Sequence, residues 1–169
     1  AAAGELASRM GYRAVSMRQV ADTAQVSTRT LYNHFADKER LFAACLDSGA
    51  AAFPVLEATP GIDVHLALCD YARSLVRMLS EDASLRLGLL TYREGGEFPE
   101  LLRAAEAISE RHITQPVAAF LQATGIADDA PEELARLFIS LALSEWYRLL
   151  AWRRPLRSDD LARHAELAT

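Results

Sequence analysis

Thr28, Arg29 and Thr30 stand side by side, Tyr32, Asn33 and His34 follow within one helical turn, and Lys38 comes four residues later. Forked guanidinium donors match the acceptor pair on a guanine edge. Asparagine can pair with adenine, and a threonine methyl can lie against a thymine methyl. An ammonium at a helix start can hold a backbone phosphate. The chemistry these side chains suit is reading a nucleotide groove.

No other cluster competes. GxSxG, P-loop, HExxH and dinucleotide-binding fingerprints are absent. The histidines at 34, 65, 112 and 164 have no ligand-like spacing. The paired acids Glu81–Asp82, Asp128–Asp129, Glu132–Glu133 and Asp159–Asp160 fall where helices start or end, which capping explains. We therefore expect no catalytic residue, no metal site and no cofactor. Cys45 and Cys69 lack a CxxC partner and read as buried thiols in a reducing cytoplasm. No apolar run approaches the roughly 18 residues of a membrane span.

The elements that position the polar group are helical. Almost every segment has a 3.6-residue apolar period, and no alternating strand appears. The opening to Met10 reads as a helix already in progress, which implies a true start before Ala1, and Gly11 ends it. Ser16 caps a helix over 17–24 whose inward face is Val20, Ala21 and Ala24. Ser27 or Thr28 caps a short one ending near Phe35, and Asp37 caps a fourth through Leu46. Val20, Ala21, Val26, Leu31 and Phe35 lie where two crossing helices must meet, the plan of a helix-turn-helix. Pro54 and Pro60–Gly61 then open a second region. Its predicted helices cover 63–79, 84–93, 99–124 with a kink at Pro116, 131–153, and a short one after Ser158. This predicts an all-α chain with a head at 1–48 and a body at 49–169.

Net charge is −5, and its distribution matters more than its sum. Residues 1–46 carry six basic and four acidic side chains, so the rest of the chain is strongly acidic. A locally basic head can meet phosphate while the body repels it.

Residues 4–48 resemble the DNA-binding domain of the tetracycline-repressor (TetR) family. The resemblance rests on Gly11-Tyr12, Ser16-Met17-Arg18, Val20-Ala21, Ala24, Val26-Ser27, Thr30-Leu31-Tyr32, His34-Phe35, Lys38 and Leu41-Phe42. It implies a homeodomain-like head, and it puts Met17, Arg18, Thr28, Arg29, Tyr32, His34 and Lys38 on or beside DNA. Thr28, Arg29 and Lys38 have no obvious partner within the head, whereas the other four have an alternative role. Tyr32 and His34 can pack on the fourth helix, Arg18 can pair with Asp22, and Met17 reads better as a partly exposed spacer. Position 25 departs from the family's usual glycine, so Gln25 must bear the positive φ of the turn.

The stretch from Phe98 to Trp152 is similar to the AefR-like regulators of that family. The resemblance implies a cytoplasmic homodimeric repressor, released from a pseudo-palindromic operator by a small, largely apolar effector. The dimer face would include Leu134, Phe138, Leu141, Glu145, Leu149 and Trp152, and the pocket would draw on Leu66, Cys69, Leu87, Leu90, Tyr92, His112, Phe120 and Trp146. The competing expectation is a helical dimer that binds a small molecule or protein partner without DNA.

Overall fold

The computed structural model describes residues 2–152, and no strand occurs among them. Four helices form the head: α1 (Ala2–Met10), α2 (Met17–Thr23), α3 (Thr28–His34) and α4 (Lys38–Ala50). Each start has a chemical cause. Ser16 and Gln19 make a reciprocal capping box at α2, the Ser27 hydroxyl accepts from the Thr30 amide at α3, and Asp37 accepts from the Arg40 amide at α4. Gly11 ends α1 at φ +86°, a conformation glycine adopts without steric cost.

Between α2 and α3 the chain turns through Gln25 at φ 57°. A side chain there costs about 1 kcal/mol. Gln25→Gly should leave stability unchanged or raise it in thermal unfolding, and a clear loss would contradict the left-handed turn.

The remaining helices are α5 (Val64–Leu79), α6 (Asp82–Glu94), α7 (Pro99–Ser109), α8 (Gln115–Ala123), α9 (Pro131–Ala142) and α10 (Ser144–Trp152). A π-helical turn, Glu110–Thr114, separates α7 from α8. Pro116 has no amide to donate and its ring crowds the preceding turn, so the deviation expected at Pro116 takes the form of a wider turn just before it. The single helix expected over 131–153 is two, because the backbone breaks at Leu143. The helix expected after Ser158 lies outside the described residues.

Two compact units emerge, and they do not follow one cut in the chain. Among the described residues the first comprises 2–51 and 82–108, and the second comprises 52–81 and 109–152. The first unit's core unites both of its segments: Ala7, Tyr12, Val20, Ala21, Leu31 and Phe42 from the head pack with Leu90 and Leu101. Two positions expected inside are exposed. Ala24 closes α2 facing solvent, and Val26 is 40% exposed because its backbone is held by the Ala21 carbonyl while its side chain points out. In the second unit Leu68, Leu75 and Val76 of α5 are buried, as are Val117, Phe120 and Leu121 of α8, and Ala135 and Ile139 of α9.

Candidate nucleic-acid interface

The helix α3 buries one side chain, Leu31, against the head core. Every other polar group of that helix is left to the outside: Arg29, Thr30, Tyr32, Asn33 and His34 are exposed, and Thr28 is half-buried. One apolar anchor on a seven-residue helix fixes its rotation, so the polar types share the outward arc. Tyr32 is 52% exposed, which removes the packing role considered for it. His34 lies tilted near the Phe35 ring and is also exposed. The Thr30 hydroxyl shares a hydrogen bond with Ser27 at 2.7 Å, so its hydroxyl serves the cap first.

Arg18, one residue into α2, is exposed, and it forms no ion pair with Asp22. Arg18 and Arg29 thus leave their guanidinium groups to solvent. An unpaired guanidinium on a rigid, capped helix is pre-organised for phosphate or guanine.

Met17 and Lys38 correct the sequence reading. Met17 was expected to be a partly exposed spacer beside DNA, but it is buried at 7% and belongs to the core with Val15 and Val20. The reason is the capping box, which turns the first residue of α2 inward. Lys38 was expected to have no partner within the head. Its Nζ instead donates to the Tyr12 carbonyl at 2.8 Å and sits 4.2 Å from the centre of the Tyr12 ring. Burial lowers its pKa, and the carboxylates of Glu100 and Glu94 partly oppose that shift. An ammonium so engaged makes a structural contact. Lys38→Ala should lower stability by about 1 kcal/mol and leave the salt dependence of DNA binding unchanged. Arg18→Ala should make that slope shallower by about one.

Around Tyr12 the first unit builds a tight corner that sequence reasoning missed. The Tyr12 amide donates to Glu94 Oε2 at 2.7 Å. The Tyr12 ring meets Phe42 and Phe98 edge-on at 4.8 and 5.1 Å. Its hydroxyl is pushed up to about 12, by burial first and then by Glu100, Glu39 and Asp37. Arg13 pairs with Glu97 at 3.0 Å, and Arg103 lies 3.9 Å from Glu39. A Cβ on Gly11 would stand 3.1 Å from Glu94 Oε1, so the glycine admits the carboxylate as well as the turn. The end of α6 therefore grips the corner between α1 and α2. Tyr12 and Glu94 are 82 residues apart, and no local pattern announces the bond.

The expected pocket residues fall in both units. Leu87, Leu90 and Tyr92 belong to the first unit, where Leu90 is core, Leu87 is half-buried against Gly4, and Tyr92 is 55% exposed. In the second unit Leu66 is 53% exposed, because the inward face of α5 falls on Leu68, Cys69 and Ala72 instead. Cys69 and Phe120 are packed core, His112 sits half-buried in the π-helical turn, and the Trp146 indole donates to the Leu79 carbonyl at 3.0 Å. Cys45, expected to be buried, is half-buried.

Of the residues expected on a dimer face, Leu134 and Leu141 are exposed at 37% and 56%, and Leu137 between them at 58%. Phe138 points the other way and is buried at 6%, since it falls on the α9 face shared with Ala135 and Ile139. Glu145 pairs with Arg148, and Leu149 is half-buried. The side chain of Trp152 lies outside the described residues. No helix among the described residues is long and apolar enough to cross a membrane, and no group of three or more metal-ligating side chains occurs among them.

Comparison with known proteins agrees with this geometry. Residues 1–45 match the family described as bacterial regulatory proteins, tetR family. The HTH-type transcriptional repressor KstR of Mycobacterium tuberculosis is 28% identical over 172 residues, covering 96% of this chain and 73% of that one. Among solved structures, the flavonoid-responsive regulator FrrA is 29% identical with a TM-score of 0.76, covering 99% of this chain and 89% of its own. A TetR transcriptional regulator from Agrobacterium tumefaciens is 25% identical, also at 0.76, covering 99% and 86%.

Proposed function

We propose that this chain, a DNA-binding transcriptional regulator of the TetR family, is a homodimeric repressor that leaves a pseudo-palindromic operator when a small, largely apolar effector binds. The observation that carries the reading is α3: it anchors on Leu31 alone and turns Arg29, Tyr32, Asn33 and His34 outward on a fixed scaffold. Arg29 reads a guanine edge, Asn33 an adenine, and Arg18 with Thr28 holds phosphate. Thr30, Tyr32 and His34 flank the readers. The functional division is a DNA-reading segment at 1–48 and an effector and dimerisation segment at 49–169, acting in the cytoplasm. An AefR-like second segment belongs to the same proposal.

Dimerisation rests on the stripe Leu134, Leu137 and Leu141, spaced three and four apart along α9. Three exposed leucines on one helix face are a self-complementary apolar surface of the kind that twofold dimers bury. Two heads then meet half-sites about 34–36 Å apart. A charge at the stripe tests this. Leu137→Glu with Leu141→Glu should give a monomer in sedimentation and weaken operator binding, while the fold is retained because both side chains are outside the core. A dimer that survives both substitutions would remove this surface.

The effector acts by favouring the conformation with lower DNA affinity, and its effect is bounded by its differential affinity for the two states. Genomic footprinting with the purified protein tests the whole reading, since the protected promoter gives both the operator and the regulated genes. The competing reading, a helical dimer without DNA binding, predicts no protected fragment.

A further inference from the structure

The second unit contains a cavity of about 260 Å³ that none of the expected pocket residues lines. One wall is a single face of α5, formed by Ala67, Asp70, Tyr71 and Ser74 at the helical spacing of three and four. The other wall is the connection before α5, from Pro54 to Ile62. Two features define what could fit. First, the charged side chains in the lining are Glu57 and Asp70, both acidic, and no lysine, arginine or histidine among the described residues lines it. Asp70 has Arg73 at 3.4 Å on its own helix, with both side chains substantially exposed, so that pair is weak and can be exchanged. Second, Tyr71 is buried at 3%, and its hydroxyl has no hydrogen-bond partner. A buried phenol without a partner costs free energy that a ligand group or an entering water can return. The rest of the lining, Pro54, Val55, Leu56, Ile62 and Ala67, is apolar.

We propose that this cavity binds a small organic cation, a protonated amine on an apolar body, with the ammonium at Asp70 and Glu57, the body against the 54–62 connection, and Tyr71 as the hydrogen-bonding group beneath it. An anionic ligand is disfavoured by the same two carboxylates. That such a ligand is also the effector rests on the function proposed above.

Three compounds of one skeleton test the site on the full-length chain by isothermal titration: tyramine, 4-ethylphenol and 3-(4-hydroxyphenyl)propionate. Tyramine should saturate and bind at least about tenfold more tightly than the carboxylate. Asp70→Asn should erase most of that preference. Tyr71→Phe should weaken tyramine severalfold without lowering the unfolding temperature, because the hydroxyl it removes has no partner in the free protein. A merely structural tyrosine would show the reverse, a loss of stability with affinity unchanged, and that result overturns the proposal. So do equal affinities for the three compounds, or no saturation by tyramine at roughly 10 mM. Operator release is read in parallel. Release by some other compound from a protein that binds no amine removes this cavity and keeps the repressor reading. Amine binding with the operator still held keeps the cavity and removes its effector role.

Discussion

Arg29→Ala weakens binding to the operator by roughly five- to a hundredfold, the loss expected when a forked contact with a base edge is removed. It leaves the unfolding temperature within error. The two halves of that expectation come from one fact. Arg29 is exposed as the second residue of α3 and holds no other side chain among the described residues, so its removal disturbs nothing internal. Adding Thr28→Ala deepens the loss, since Thr28 borders the same surface at the start of the helix. On DNA of unrelated sequence the defect is smaller and reflects only lost charge. Equal losses on operator and on unrelated DNA would make Arg29 a phosphate contact and move base reading elsewhere on α3. Gel-shift titration against both DNAs at fixed salt separates the cases.

The second large effect lies far from the DNA-facing surface in sequence. Glu94→Ala destabilises the first unit by about 1.5–3 kcal/mol, because a charge-assisted bond is lost and the partly buried Tyr12 amide is left without an acceptor. The damage spreads through the corner. The Lys38 ammonium depends on the Tyr12 carbonyl and ring, and α4 begins at Lys38. DNA affinity therefore falls with stability, and cooling or a stabilising additive recovers part of it. Glu94→Gln retains an acceptor and should cost less than half as much. If alanine and glutamine behave alike and both match the parent in calorimetry, the grip of α6 on the head is not energetically significant.

The head was legible in the sequence because its signals are local. Ser16, Ser27 and Asp37 each cap the helix expected after them, and the positive φ of Gln25 follows from the family resemblance, which places glycine at that turn. Leu31 as the inward residue of α3 follows from helical spacing against Val20 and Ala21. What the sequence withheld depends on distant partners. Lys38 looked available because the carbonyl that accepts from it belongs to Tyr12, 26 residues earlier. Helices α6 and α7 looked like part of the body because they follow Pro60–Gly61 in the chain, yet Leu90 and Leu101 complete the head's core. Periodicity also cannot distinguish two helices from one when the break adds no glycine or proline. Leu143, with neither glycine nor proline beside it, interrupts the helix expected to continue to 153. The same limit affects the cavity. Its α5 wall is readable as a spacing, but its opposite wall is an irregular connection whose path no periodicity predicts.

The most direct measurement is the affinity of the purified chain for the duplex recovered by footprinting, followed across salt concentration and compared with the Arg18→Ala and Arg29→Ala double variant. The outward face of α3 predicts two protected half-sites one helical turn apart, a steep fall of affinity with salt, and a shallower, weaker curve for the double variant. A duplex held equally well with both arginines gone, or affinity that ignores salt, would contradict the claim that this face reads DNA.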